Sequence, residues 1–290
     1  MNYRRLGETN IVVSEIGFGA WGIGGVTPGP TSYGPTDDIV SLNSLKRAFE
    51  KGITLYDTSN IYGAGHSESL IGRAFKSQRD KVIIATKAGF ADYDKPPNFS
   101  PSSIRKSLEE SLIRLNTDII DILQFHGGWF TSSETSQVLN QGGIEAYKKL
   151  KNQGKIRFIG FSADGPSTGV EQMISSNEFD MMQIHYNLMY QSTYDSFGSR
   201  GVIADAESRG MGIILMRSTT SQSFQRLMHH SFPDQISEAE IDSFLLNYVL
   251  SNPLVDVALM SLQSSEDVIW TNAVSDATDT RINLQKIHGR

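Results

Sequence analysis

A barrel of eight parallel strands alternating with helices is the fold class that this sequence predicts, and three observations carry the prediction. Short apolar runs bounded by turn residues recur along the whole chain, and capped helical patterns fall between them. Parallel neighbours need helical crossovers, and closing the sheet removes its edges. No linker or shift of composition divides the 290 residues, so one (β/α)8 TIM barrel domain over 1–290 is expected. An open doubly wound sheet is the alternative.

The elements follow in order. NYRRLGETNIVVSE (2–15), with a turn from Gly7 to Asn10, reads as a separate N-terminal β-hairpin closing the bottom of the barrel. The eight runs are EIGFGAW (15–21), GITLYDT (52–58), KVIIATK (81–87), IIDILQFH (119–126), KIRFIGFS (155–162), MMQIHYN (181–187), GIILMRS (212–218) and VDVALMS (255–261). Among the helices, Thr36-Asp37-Asp38 leads into IVSLNSLKRAFEKG, Ser100-Pro101 opens SSIRKSLEESLIRL, and GGIEAYKKLKNQGK supplies another. Gly17, Gly19 and Gly22 match the spacing of a dinucleotide fingerprint, but GIGGVTPGPTSYGPT follows where that motif needs a helix. They are read as a close-lying loop at the barrel mouth.

Composition narrows the function. With 26 basic against 32 acidic residues and a net charge of -6, neither nucleic acid nor anionic lipid is an expected partner. The absence of cysteine excludes disulfides, zinc ribbons and thiolate nucleophiles. Arg4 and Arg5 are not followed by an apolar core, and no stretch is apolar enough to span a membrane, so a cytoplasmic protein is expected. His229 and His230 are adjacent and lack an accompanying carboxylate pattern, so no metal is expected.

Catalytic groups of such barrels sit at the C-terminal ends of the strands, and these ends are polar here. Strand two of the barrel ends at Asp57, strand three at Lys87, strand four at His126 and strand five at Ser162, while strand six carries Gln183. Tyr62 follows Asp57 in a loop containing Gly63 and Gly65. Singly, each has an ordinary structural explanation such as helix capping or packing. Together they suit carbonyl reduction, in which charge develops on oxygen and a positioned acid must donate a proton. On this reading Tyr62 is the donor, the Lys87 ammonium lowers its pKa, Asp57 keeps Lys87 charged, and His126 orients the substrate.

These motifs resemble the aldo-keto reductase superfamily, from RRLGETNIVVSEIGFGAWGIGG to SSEDVIWTNAV, with YDTSNIYGAGHSESLIGRAF, KVIIATK and DILQFH carrying Asp57, Tyr62, Lys87 and His126. The resemblance implies NADP(H) or NAD(H) bound without a Rossmann domain, and reversible reduction of a small carbonyl or sugar substrate. It places Gly19, Ala20, Trp21, Ser162, Gln183, Met216, Arg217, Ser218, Ser261, Gln263, Ser264 and Asn272 at the cofactor. Departures are visible: Ser162-Ala163 stands for the usual Ser-Asn, and Met216 for a stacking aromatic. Trp21 and Trp129 are expected to contact substrate, with Tyr33, Phe130 and the segment from Ser218 into HHSFPDQIS as further wall. LVDVALMSLQSSEDVIWTNAVSDATDT contains no basic residue, so weak discrimination between the two dinucleotides is expected unless Arg217 or Arg226 supplies charge. A monomer or small homo-oligomer is expected. A Schiff-base lyase using Lys87 and a cofactor-binding regulatory subunit are the alternatives.

Overall fold

The computed structural model describes every residue except 28–31, 194–200, 233–236 and 288–290. Eight strands close the barrel: β3 (Ile16–Gly19), β4 (Leu55–Asp57), β5 (Ile83–Ala88), β6 (Ile120–His126), β7 (Ile156–Ala163), β8 (Met181–His185), β9 (Gly212–Met216) and β10 (Val257–Met260). They pair in parallel in chain order, and β10 returns to β3. Each apolar run in the sequence holds one of these strands, except that β5 and β7 continue one residue past theirs, to Ala88 and Ala163. The open-sheet alternative fails because β10 pairs with both β9 and β3, which leaves no edge.

Helices follow each barrel strand: α1 (Asp38–Glu50), α2 (His66–Phe75), α3 (Pro101–Arg114), α4 (Ser132–Leu139), α5 (Gly143–Asn152), α6 (Thr168–Ser175), α7 (Val202–Glu207), α8 (Gln222–Ser231), α9 (Glu238–Leu250) and α10 (Ser265–Asp276), with a short α11 (Leu284–Ile287) at the end. The Asp37 carboxylate accepts from the backbone N–H groups of Ile39 and Val40, and Pro101 occupies the first turn of α3. The segment after β9 is not all loop, because Ser221 caps α8 there; residues 233–236 of HHSFPDQIS lie outside the described residues. After β3 the chain forms a 3-10 turn over Ala20–Ile23 with no side-chain cap. The glycine triplet therefore does not open an α-helix on a phosphate.

Strands β1 (Tyr3–Arg5) and β2 (Val12–Ser14) form the antiparallel hairpin, which closes the N-terminal end. Its Leu6, Ile11 and Val13 pack on the barrel-lining Leu55, Ala85, Ile122, Met181, Ile214 and Val257, so the lower interior is a dry apolar core. Gly7 makes this close docking possible. It has φ +52°, and a Cβ there would stand 2.3 Å from the Gly212 nitrogen. Its N–H, like that of Ile213, donates to Asp256. Glu15 fastens the same end: buried, it accepts from Arg4 and Arg281 and from the Ser275 hydroxyl.

Gly7→Ala combines a forced left-handed backbone with overlap against a strand. It is expected to cost on the order of 2 kcal/mol or more. Urea unfolding would measure this, and a midpoint indistinguishable from the parent would mean that the hairpin does not dock as described.

Candidate active site

At the opposite end of the barrel, Lys87 is fully buried on β5, which sets a strong constraint. A buried ammonium is tolerated only when its donors are satisfied. Nζ lies 2.7 Å from both carboxylate oxygens of Asp57 and 2.8 Å from the Thr58 carbonyl oxygen, so all three donors are used. Strand register produces the contact: Asp57 pairs with Ala85, and Lys87, two residues farther along β5, reaches back. Gln124, paired with Lys87 across β6, donates to Asp57 at 3.2 Å and to the Gln183 side-chain oxygen at 2.9 Å. Burial pushes the lysine down and the carboxylate up, and their mutual attraction opposes both changes.

Tyr62 lies beside this pair, with Nζ 5.0 Å from its ring centroid. It begins a 3-10 turn, Tyr62–Gly65, in which Gly63 has φ +59° and Ala64 φ +53°. Gly63 is required there because a Cβ would fall 1.8 Å from the Gly24 carbonyl oxygen. Trp21 stacks on the phenol at 5.6 Å and 16°, Tyr33 meets Trp21 edge-on, and His126 meets Tyr62 edge-on at 6.1 Å. The Thr27 hydroxyl accepts from the Trp21 indole at 3.1 Å and from the Gly63 N–H at 3.2 Å.

The expected lowering of the Tyr62 pKa by Lys87 is not what this environment produces. Burial pushes the phenol well above its ordinary value, and Tyr93 and Asp57 add to the rise. The reason is that Asp57 neutralises the ammonium while its own charge opposes a phenolate. His126 moves the other way: burial, followed by the Lys87 charge, holds it well below an ordinary imidazole, so it is neutral. Its Nδ1 is 3.2 Å from the Ser59 hydroxyl and its Nε2 is 3.5 Å from the Tyr93 hydroxyl.

The residues expected at the cofactor divide into groups. Ser162 and Gln183 are register partners on β7 and β8; the Ser162 hydroxyl meets only the Met216 sulfur, at 3.9 Å, among the described residues, while the Gln183 amide lies 3.7 Å from that sulfur and also hydrogen-bonds Asp57. The weakly engaged hydroxyl beside an amide suits a carboxamide. Gly19 ends β3 and Ala20 begins the 3-10 turn after it, and a Cβ on Gly22 would strike the Ser261 hydroxyl at 2.4 Å and the Gln263 amide at 2.7 Å, so the first and last strand loops are in contact. Ser218 is buried and bonded to the Leu259 carbonyl, while Arg217 is exposed with φ +55°. At the start of α10 the Asp267 carboxylate accepts from the backbone N–H groups of Gln263 and Ser264, both at 2.9 Å, and Ser264 caps the helix. Asn272 does not join this group; eight residues farther along, it donates to Asp276.

Other expectations change on inspection. Phe130 is no substrate wall: it is 1% exposed, with its ring against Phe99 and Phe161. Trp129 is half exposed on the rim, over Gly165. Glu68, in the signature segment, is buried and bonded to Arg114 and Thr86, and so braces the scaffold. Tyr93, Gln124, Ser59 and Thr27 were not foreseen. A phenol three residues beyond Phe90 in the β5 loop was the one signal available for Tyr93. Among the described residues no cluster of three His, Cys, Asp or Glu could hold a metal, and no helix is long and apolar enough to cross a membrane.

Two outcomes are expected. Removing either member of the Asp57–Lys87 pair strands the other charge, so Lys87→Met and Asp57→Asn should be strongly non-additive in a double-mutant stability cycle, by more than about 1 kcal/mol. Simple additivity would refute the contact. Separately, His126 is depressed and His185 is lowered to about 4 by burial and by Arg217. Both are neutral in both states above pH 6.5, whereas below it the unfolded chain takes up protons that the folded one refuses. Stability should therefore fall as pH drops from about 6.5, by about 1.4 kcal/mol per pH unit for each histidine. His185→Asn should flatten the slope of the urea midpoint between pH 6.5 and 4; an unchanged slope would show that His185 titrates normally.

Residues 15–258 match the sequence profile of the Aldo/keto reductase family. The chain is 38% identical over 182 residues to aldo-keto reductase YhdN of Bacillus subtilis (strain 168), an alignment covering 60% of this chain and 49% of that protein. It is 34% identical over 202 residues to the NADH-specific methylglyoxal reductase of Escherichia coli (strain K12), covering 63% and 58%. The chain thus spans about half the length of the curated relatives it matches. Among solved structures, aldo-keto reductase AKR11C1 from Bacillus halodurans in its holo form shares the fold, with a TM-score of 0.78 at 23% identity over 99% of this chain and 95% of that one. With its barrel, its hairpin and a profile match over most of its length, the chain belongs to the aldo/keto reductase family.

Proposed function

We propose that this protein reversibly reduces small aldehydes or ketones with NADH or NADPH at the C-terminal mouth of the barrel, with Tyr62 as proton donor. The observation that carries the reading is the convergence of Lys87, Asp57, Tyr62 and His126 within one buried, aromatic-walled site. Ser162 and Gln183 suit the nicotinamide carboxamide and Met216 the ring; Gly19, Ala20, Arg217, Ser218, Ser261, Gln263 and Ser264 border the path of the remaining dinucleotide. When bound, the cofactor supplies hydride.

The chain's residues supply the rest. Trp21 and Tyr33 wall the site, and neutral His126 orients the carbonyl. A phenol with a raised pKa remains protonated near neutrality, which suits donation to an oxygen as it gains charge. The Asp57–Lys87 pair fixes the floor under that phenol. Asp267 places a carboxylate on the N–H groups of Gln263 and Ser264 just ahead of α10, and no basic side chain lies in that segment, so the unphosphorylated dinucleotide is usable at comparable efficiency. One relative is named as NADH-specific, in keeping with this. A Schiff-base lyase is disfavoured because Lys87 is fully buried with three acceptors.

Tyr62→Phe is expected to lower carbonyl reduction on the order of 100-fold or more while nicotinamide affinity, followed by fluorescence, stays nearly unchanged. Retention of most turnover would remove Tyr62 from the mechanism, and tight cofactor binding by the parent protein without turnover across a broad carbonyl panel would favour a regulatory subunit. Steady-state constants with both dinucleotides provide a further test: a preference of several hundredfold for the phosphorylated form would overturn the cofactor reading, and its loss in Arg217→Ala would identify the missed partner.

A further inference from the structure

A row of hydrogen bonds crosses the barrel beneath the site, from Lys87 on β5 through Asp57 on β4 to Gln124 on β6 and Gln183 on β8. The direction of each bond follows from the charged end. Lys87 Nζ meets two carboxylate oxygens and the Thr58 carbonyl oxygen, so it is an ammonium with all three N–H groups engaged. The Asp57 carboxylate in turn only accepts. The Gln124 atom that lies 3.2 Å from Asp57 Oδ1 and 2.9 Å from the Gln183 side chain is therefore its NH2 group, and the Gln183 atom it meets is the carbonyl oxygen. This leaves the NH2 group of Gln183 on the side of the Met216 sulfur, 3.7 Å away.

Holding Gln124 this way round is unfavourable for Gln124 itself. Its side chain has no exposure, and among the described residues no donor reaches its oxygen, Oε1. A buried acceptor without a donor destabilises a fold, and an aliphatic side chain at this position would avoid the loss. Turning the amide over gives no relief, because the oxygen would then face the Asp57 carboxylate and the Gln183 oxygen. The neighbouring strand makes room for the stem: Gly160 pairs with Gln124, and a Cβ there would stand 3.1 Å from the Gln124 Cγ and 2.9 Å from the Met181 Cγ.

We infer that Gln124 is a positioning residue for the cofactor: it anchors the Gln183 oxygen, so that the Gln183 NH2 group is kept as a donor for the nicotinamide carboxamide oxygen. The inference rests on the reading that Ser162 and Gln183 hold that carboxamide. Both are almost fully buried, 2% and 1% exposed, and each meets the Met216 thioether, a weak acceptor on a flexible stem that a carbonyl oxygen outcompetes. Without Gln124, Asp57 lacks a donor and draws the Gln183 NH2 group toward itself. The ion pair beneath Tyr62 and the amide that seats the cofactor are thus joined through one side chain.

The test uses the full chain and the variant Gln124→Met, which keeps the length of the side chain and removes its amide. Binding of NADH and NADPH, followed by cofactor fluorescence without any substrate, should weaken about 5-fold, as for the loss of one well-placed hydrogen bond. ADP-ribose and its 2′-phosphate, which lack the nicotinamide, should displace the cofactors with unchanged affinity. Gln183→Met should weaken NADH and NADPH by a similar factor, and the double variant should bind no more weakly than Gln183→Met alone. If Gln124→Met does not fold, Gln124→Asn, whose amide is one methylene too short to span Asp57 and Gln183, carries the same test. Dinucleotide affinity within twofold of the parent, equal weakening of ADP-ribose, or additive effects in the double variant would overturn the inference. The two readings fail differently. A parent protein that binds neither dinucleotide defeats both, and an unaffected Gln183→Met defeats the carboxamide placement together with the inference. Weakened binding in Gln183→Met beside an unaffected Gln124→Met defeats the inference alone.

Discussion

Everything at the mouth of this barrel is organised around a lysine that has no access to water. Lys87 has zero exposure, and an isolated ammonium in that position would not remain charged. The structure meets the constraint with a bidentate carboxylate and one backbone carbonyl, drawn from the neighbouring strand and its first loop residue. The price of this arrangement is that Asp57 must also lose water, and so the amides of Gln124 and Gln183 gather around it. A single buried cation therefore dictates polar residues on four barrel strands, β4, β5, β6 and β8, which the hydrophobic pattern alone would have filled with aliphatics.

The pair also sets the electrostatics above it. Because it is close to neutral as a unit, it does not draw the adjacent phenol toward ionisation, and burial decides in favour of the protonated form. The imidazole across the site loses its positive form for the same reason, with the lysine charge adding to the effect. The phenol and the imidazole are therefore both uncharged, enclosed by Trp21, Phe90 and Tyr93. Such an environment suits the proton donation to a developing alkoxide proposed for Tyr62.

Much of this was legible in the sequence, for a definite reason. A parallel barrel strand has apolar flanks and a polar C-terminal residue, so Asp57, Lys87, His126 and Ser162 could be placed by reading where each run ends. Gln124 escaped because it lies inside a run, two residues before His126, where side chains pointing into the barrel and into the helix layer share one apolar appearance. Thr27 and Tyr93 escaped because loops carry no periodicity. Glu68 lies in the signature segment, and only its partner Arg114, 46 residues away, reveals it as a brace. Phe130 seemed part of a wall, although its left-handed backbone, φ +49°, turns the ring inward.

The hydroxyl of Thr27 has a consequence that extends beyond holding a loop in place. It is a single acceptor shared by the indole of Trp21 and the backbone of Gly63, so the aromatic wall of the site and the turn that presents Tyr62 hang from one oxygen atom. Gly24 tightens the link, since its carbonyl leaves no room for a side chain at Gly63. On the proposed function, selectivity and reactivity are therefore mechanically coupled: a substitution that reshapes the indole platform also disturbs the turn that carries the phenol. Evolution toward a new substrate through this loop would be constrained to paths that preserve both, and the freer route for change lies on the opposite rim, around Trp129, which bears on neither.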